Sequence, residues 1–445
     1  MITRPRTIIS LASVMDGAQS CAPFWERGHR LGNSIFRRMA GPGLLFTGAA
    51  IGTSHLVQST RAGAMFGAAL IGVILLANLL KYPAFRFGID FSHARGRSLL
   101  TGYRELGLWA LALFLVTVIP LVPIVWAALA AATAGIISAV FGSILPIPLL
   151  ATVVLVLASA LLLLGGYRLL DRVNAFMLAF LVASTLITTA MVLPFVEWGT
   201  LTDIAWTQET TALLFIVALA GFMPNPMDVS VIVSAWKVEA DHTLPPDARP
   251  SIEYARRSFR WPYIMTAFMA VCFCIMGAGV MHAQDIAPVS DAPGFAAQLV
   301  NLYREALGDG AAALAAIAAL SVMLTTVIAA VDGYCRTLPI AIAVWQGRED
   351  ETTTSAAYLW SCIVLVGLAV VALFTLMREF TVFLDFVTSA TFVVAPMIAL
   401  LNLLVVTRCD MPDEARPSAA MKALCVTAIV VMAALAVMYF AFSFG

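Results

Sequence analysis

Gly41 to Gly67, GPGLLFTGAAIGTSHLVQSTRAGAMFG, is an apolar run long enough to cross a membrane, yet Gly52-Thr53-Ser54-His55 interrupts it at its centre. Lipid offers no partner to a backbone N–H or C=O, so an unwound turn at that depth survives only where it lines a protein-enclosed cavity or holds a solute. The interruption is therefore a candidate binding site. A second one lies in Thr210 to Trp236, where Met223-Pro224-Asn225-Pro226 puts two prolines into an otherwise helical apolar run. Two matched breaks point to two matched halves.

The rest of the chain agrees with a membrane setting. Apolar residues make up 61% and charged residues 12%, against a charged share of about a quarter in soluble domains. Mean hydropathy is +0.93. At roughly 20 apolar residues per helical crossing, eleven crossings can be laid along the chain. They run Gly41 to Gly67, Ala68 to Phe91, Leu108 to Val140, Ile147 to Tyr167, Leu170 to Phe195, Thr210 to Trp236, Phe259 to His282, Ala311 to Val344, Ser355 to Leu376, Phe380 to Val406 and Ala419 to Phe442. The third and eighth are over-long and are expected to tilt or to continue as loop helices. Pro293 to Leu307 has a helical pattern with polar Gln298, Arg304 and Glu305, which reads as an external helix on the surface.

With the N-terminus inside, only Arg61, Arg304 and Arg378 of the 26 basic residues fall towards the outer side. A missed or invented crossing would spoil that asymmetry. The expected organisation is a cytoplasmic tail over 1–40, a first five-helix repeat over 41–200, a second over 201–408 and an eleventh helix over 409–445. An odd number of crossings separates equivalent helices, so the repeats are inverted, as in many secondary transporters. Arg4 and Arg6 before Ile8 to Met15 imitate a signal peptide, but the apolar stretch is short and Asp16 ends it. The expected location is the inner (plasma) membrane, multi-pass, with a cytoplasmic N-terminus. The formal charge of zero says little, because in a membrane protein the distribution of Lys and Arg matters more than their sum; no nucleic-acid partner is implied, and the seven cysteines read as reduced packing residues.

The first run, followed by LLANLLKYPAFRFG, resembles the first two helices of the Nramp family of proton-coupled divalent-metal transporters. Those open on Gly-Pro-Gly, carry an Asp-Pro-Gly-Asn break and continue into an Ala-Gly-Ala-rich half helix. The sixth span, ALAGFMPNPMD, resembles that family's Met-Pro-His-Asn break. The resemblance covers Gly41 to Gly445. It implies an all-α LeuT-type fold with a 5+5 inverted repeat, an eleventh transmembrane helix, and helices 1 and 6 broken at mid-membrane. It also implies where a ligand sits. In the family the metal is held by the Asp and Asn of the first break, a backbone carbonyl and the methionine sulfur of the sixth, and often a glutamine of the tenth. On this sequence the first break reads Gly52, Thr53, Ser54 and His55. The sixth keeps Ala220 and Met223 but has Asn225 and Pro226 where His and Asn stand, and Thr388 falls near the glutamine.

A dication in a low-dielectric site needs charge compensation, and the carboxylate that supplies it in the family is absent. What the site offers is donors: Thr53, Ser54, His55, Asn225 and the N–H groups opening each second half helix, whose partial positive charge favours anions. The leading expectation is thus a secondary transporter of a small oxyanion such as bicarbonate, coupled to sodium. The alternative is a divalent-metal transporter, proton-coupled as in the Nramp family, with His55 and Met223 as a soft ligand pair and manganese or iron ahead of magnesium. A transporter-fold sensor that binds without flux is the third. A plainer role for Thr53 and Ser54 is to satisfy the unwound backbone.

Thr325 and Thr326 resemble the helix-8 hydroxyls of sodium-coupled LeuT-fold carriers, which implies a sodium site shared with the carbonyls of Ala49 and Gly52. A threonine in a helix otherwise bonds back to a carbonyl one turn earlier. Charged residues within spans invite a functional reading. Asp228, Lys81, Asp332 and Arg336 are therefore coupling or gating candidates. The plainer readings are an i, i+4 ion pair for Asp332 and Arg336, a snorkelling Lys81, and a salt bridge from Asp228 to Lys81 or Arg86. No HExxH, GxSxG or paired intramembrane aspartates occur, so an enzyme is not expected. Neither a cofactor nor a high-affinity metal is expected, sodium being the one candidate bound ion. The expected partners are the lipid bilayer and a small inorganic ion, and one chain suffices as the transport unit. Gly52→Asp is expected to create metal affinity only if Met223 faces the cavity.

Overall fold

In this computed structural model residues 42–143, 145–164, 167–242, 249–348, 351 and 353–444 are described. The expected tail over 1–40 lies outside them. Among the described residues the chain is helical, with no strand. Span 1 is two helices, α1 (Pro42–Ala50) and α2 (Thr60–Phe66), joined by a bend at Ile51 and Gly52 and a π turn over Ser54–Ser59. The second crossing, α3 (Ile71–Arg95), leads to a short connecting helix, α4 (Leu99–Leu106). The third is α5 (Leu108–Val118) and α6 (Leu121–Phe141), turning at Pro120. α7 (Ile147–Leu164) and α8 (Tyr167–Val192) complete the first five.

Span 6 is again divided, into α9 (Thr210–Phe222) and α10 (Val229–His242). At 13 residues, α9 reaches about 20 Å, short of the roughly 30 Å hydrocarbon core. Only the two halves together cross. α11 (Ile252–Met276), α12 (Ala292–Trp345), α13 (Ser355–Thr375), α14 (Phe380–Arg408) and α15 (Ala419–Phe444) follow. Among the described residues 9 helices are long and apolar enough to cross a membrane, and the two broken spans bring the crossings to eleven.

Local chemistry explains where α12 begins and bends. The Asp291 carboxylate accepts the Gly294 N–H at 2.7 Å, and Pro293 opens the first turn, where its missing donor costs nothing. The helix then kinks at Gly308, at φ 80° and ψ 174°, a region that glycine alone visits easily. The surface helix expected near 293–307 is thus the first part of α12, set off by that kink.

Packing sorts the helices into two blocks. α3 packs on α10 and α11, and α11 on α1; α12 packs along α6, which α13 and α7 also flank. Spans 1, 2, 6 and 7 therefore form one block and spans 3, 4, 8 and 9 the other. α8 and α14 run alongside, against α12 and α9 respectively. Within the first block Phe46 of α1 is fully buried, its ring 5.2 Å from those of Phe85 and Phe259 and stacked on Tyr263 at 5.5 Å. Buried Asn402 of α14 ties three elements together: its Oδ1 accepts from Tyr103 at 2.5 Å, and its Nδ2 donates to Ala84 O at 3.0 Å and to Ser230 Oγ at 2.9 Å.

In lipid, small residues let helices approach closely, and the broken spans use this most. A Cβ on Gly221 would stand 1.9 Å from Thr388 O, one on Gly63 1.9 Å from Cys274 O, and one on Gly277 2.2 Å from Thr60 O. We expect Gly221→Ala and Gly63→Ala each to lower the yield of monodisperse protein severalfold, because backbone cannot step aside as a flexible side chain can. Gly72→Ala, which meets nothing within 4 Å, should be neutral. Size-exclusion chromatography of tagged variants in detergent checks all three.

Candidate functional site

The first break is tighter than its sequence implies. Ile51 N–H still donates to Thr47 O at 2.8 Å, and Gly52 N–H turns back to Ala50 O at 2.8 Å. Gly52 O then accepts His55 N–H at 3.1 Å and Leu56 N–H at 2.9 Å. Only Ile51 and Gly52 are unwound; Thr53, Ser54 and His55 already belong to the wound second half, as a π turn of the kind often found at functional sites. The second break is longer, from Met223 to Asp228 with a cis Met223–Pro224 bond, and rewinds through Val229 N–H to Pro226 O at 3.2 Å. The breaks touch: Ser54 Oγ lies 3.3 Å from Pro224 O, as well as 2.8 Å from Ala50 O and 2.7 Å from His55 Nδ1.

Between them is a small cavity. Its walls are Ala49, Thr53 and Ser54 of span 1, Phe222, Asn225 and Pro226 of span 6, Val125 and Leu129 of α6, Val229, Ile232 and Trp236 of α10, and Thr326, Ala329, Ala330 and Tyr334 of α12. The free volume is about 40 Å³, room for roughly three waters. No wall residue is acidic. Two buried polar atoms on the wall, Thr53 Oγ1 and Asn225 Nδ2, have no hydrogen-bond partner. Buried polar atoms are seldom left so.

The sequence-predicted substrate residues divide accordingly. Thr53, Ser54 and Asn225 line the cavity. His55 does not: it is fully buried, its Nε2–H donates to Thr266 O of α11 at 2.8 Å, and in the neutral ring its Nδ1 accepts from Ser54. The ring is a crosslink with both nitrogens engaged. Met223 is fully buried with its sulfur 4.0 Å from Ser59 Oγ, and Ala220 O accepts the Met223 N–H at 3.4 Å. Neither side chain reaches the cavity wall. Thr388 bonds within α14 to Leu384 O at 2.9 Å and accepts from Gln58 at 3.3 Å.

Gly52 meets α12. A Cβ there would lie 2.8 Å from Thr326 Oγ1 and 2.9 Å from its Cγ2, so the room a side chain needs is already filled.

Among the sodium candidates, Ala49 and Thr326 line the cavity, and Thr326 Oγ1 stands 3.0 Å from Gly48 O. Thr325 donates one turn back to Ser321 O at 2.9 Å, and Gly52 O is taken by the two N–H groups above. The four are not brought to a common point. Among the coupling candidates, Asp332 and Arg336 form an i, i+4 pair at 2.9 Å, with Tyr358 OH on Asp332 at 3.2 Å. Lys81 does not snorkel: it is 1% exposed and donates to Gly221 O at 2.7 Å and Asn225 O at 3.1 Å. Arg86 pairs with Asp90 at 3.3 Å rather than with Asp228.

One cluster was missed. Arg61 of α2 grips Asp385 of α14 with both guanidinium ends, at 2.6 and 2.8 Å, and also bonds Gln58 at 3.0 Å, while Phe215 lies 5.0 Å below the guanidinium. It bolts span 1 to α14 on the side of the breaks away from α1 and α10. The signal was available, because Arg61 and Asp385 are opposite charges inside apolar spans.

The family model described as Natural resistance-associated macrophage protein-like matches residues 43–441. An uncharacterized protein of Pasteurella multocida (strain Pm70) is 33% identical over 376 residues, 83% of this chain and 84% of that one. A point variant of the Eremococcus coleocola manganese transporter superposes with a TM-score of 0.67 at 14% identity, over 98% of this chain and 92% of that one. MhsT in complex with L-phenylalanine superposes at 0.61 and 13% identity, over 92% and 99%. At those identities the two structures establish the fold.

The packing at Gly52 revises one expectation. Gly52→Asp is expected to destabilise the protein, by about 1–3 kcal/mol as overpacking does, rather than to install a metal ligand. Adding Thr326→Ala should recover much of the loss. Thermal unfolding in detergent, with and without manganese, checks both: a metal-dependent rise in Tm for the single variant would show that the carboxylate does find room.

Proposed function

As a member of the Nramp family, this chain is a transporter rather than an enzyme, and we propose that its cargo is a small divalent metal ion, proton-coupled as in the family and moved by alternating access. The observation that carries the reading is the cavity between the two breaks: it is small, and its mostly apolar wall carries a few neutral polar side chains, Thr53, Ser54, Asn225, Thr326 and Tyr334, and no charge. Membership of the Nramp family, rather than the fold, supports that class of cargo.

The wall also bears on which metal. His55 and Met223, the soft candidates, are turned away from the cavity, whereas Thr53, Ser54 and Asn225 are hard ligands. Hard oxygen donors suit magnesium or manganese over softer metals. That reverses the order drawn from His55 and Met223. With no carboxylate on the wall, the ion keeps part of its hydration and binds weakly. In this conformation the Arg61–Asp385 bolt closes one side of the breaks, and the cavity extends along α10 and α12 on the other. Under the N-inside orientation this is an inward-facing state, and outward opening requires the bolt to part.

A second reading rests on the two unpartnered groups. Asn225 Nδ2 is a donor and Thr53 Oγ1 can be one, so a small oxyanion such as bicarbonate would satisfy both. Uptake into proteoliposomes separates the readings, using manganese, magnesium and bicarbonate in parallel, each with and without proton and sodium gradients. Saturable metal uptake is expected, raised by an inward proton gradient. Bicarbonate uptake without metal uptake would favour the second reading, and ligand binding without any flux would mean a sensor. Asn225→Ala and Thr53→Ala are each expected to lower uptake about tenfold, equivalent to about 1.4 kcal/mol, while leaving the protein monodisperse.

A further inference from the structure

The break in span 6 holds a cation that belongs to the chain itself. Lys81 arrives from α3, is 1% exposed, and places its Nζ on Gly221 O and Asn225 O. These carbonyls lie at and just beyond the end of α9, where the last carbonyls of a helix lack intrahelical partners and carry partial negative charge. Asp228 stands at the far end of the same break. The ammonium is thus held chiefly by backbone oxygen, as a small bound cation would be.

Lys81 is not on the cavity wall, but Asn225 is. The backbone oxygen of Asn225 holds the ammonium while its side-chain Nδ2 is unpartnered. One residue therefore joins the resident charge to the place where cargo fits.

We infer that Lys81 determines the charge selectivity of the site, through Asn225 and the end of α9, by occupying carbonyls that a dication would need and repelling such an ion from the cavity. It is a positioning and electrostatic residue, and does not itself touch the cargo. The inference deepens the reading of this site as an ion-transport site and holds for either cargo. A metal that is carried is held loosely because of Lys81, and an anion is favoured by it.

Two substitutions separate charge from propping. Lys81→Met removes the charge and the hydrogen bonds, whereas Lys81→Gln removes the charge and keeps an N–H donor for the carbonyls. The full chain and both variants are reconstituted, and manganese and bicarbonate uptake are measured on the same preparations. The ratio of manganese to bicarbonate flux is expected to rise at least tenfold in both variants. Where the wild type carries one ion alone, its half-saturation concentration is read instead, and should fall tenfold for manganese or rise tenfold for bicarbonate. An unchanged ratio or half-saturation, a shift in Lys81→Met alone, equal loss of both fluxes, or failure of both variants to yield folded protein would overturn the inference. The wild-type measurement alone decides which ion is carried, so a wrong cargo and a wrong role for Lys81 give different results.

Discussion

Backbone oxygen at the end of a broken helix, deep in a low-dielectric environment, has to be answered by something. That requirement organises this molecule. At the end of α9 the answer is the Lys81 ammonium on Gly221 O and Asn225 O; at the end of α1 it is the Gly52 N–H on Ala50 O and Thr326 beside Gly48 O. Lys81 and Thr326 sit on different elements, so satisfying the breaks also locks α3 and α12 into place. The cavity is the space left where the two breaks meet. Two side-chain atoms of residues on its wall, Thr53 Oγ1 and Asn225 Nδ2, have no partner in the protein.

Close packing supports the same arrangement. Half helices are too short to be stable by their own hydrogen bonds, and each is pressed onto a neighbour through glycine: Gly63 and Gly277 between α2 and the stretch following α11, Gly221 between α9 and α14, Gly52 between the first break and α12. The last contact has a chemical consequence. Where the Nramp resemblance has a ligating aspartate, this chain has a glycine, and Thr326 fills the space. Gly52 and the threonine at its back are two sides of one packing solution. His55 follows the same logic. Standing at a ligand position, it serves as a crosslink between Ser54 and Thr266.

Charge is distributed unevenly across the breaks. On one side Arg61, Gln58 and Asp385 form a bidentate ion pair reinforced by hydrogen bonds and the Phe215 ring. Its two forked contacts make it stronger and more directional than a single Lys–carboxylate contact. On the other side the cavity runs between α10 and α12 with no charge on its wall. A carrier of this fold needs one side closed while the other is accessible, and the bolted side and the lined side provide that asymmetry.

The sequence by itself determined the class of molecule. Apolar length set the crossings, and Gly52 and the Pro224–Pro226 pair located the breaks, because in lipid the backbone cannot hide an unwound turn. Thr53, Ser54 and Asn225 were legible as lining residues for the same reason. What only the tertiary structure decided is which side chains point where. The turn of the π helix carries His55 away from the cavity, and the fold of the second break buries Met223 beside Ser59. Lys81, a coupling or gating candidate whose plainer reading was snorkelling to the interface, finds carbonyls 140 and 144 positions along the chain. Spacing along one helix fixes which residues share a face, but a buried side chain's partner is set by the neighbouring helix, and that neighbour exists only once the two blocks have packed.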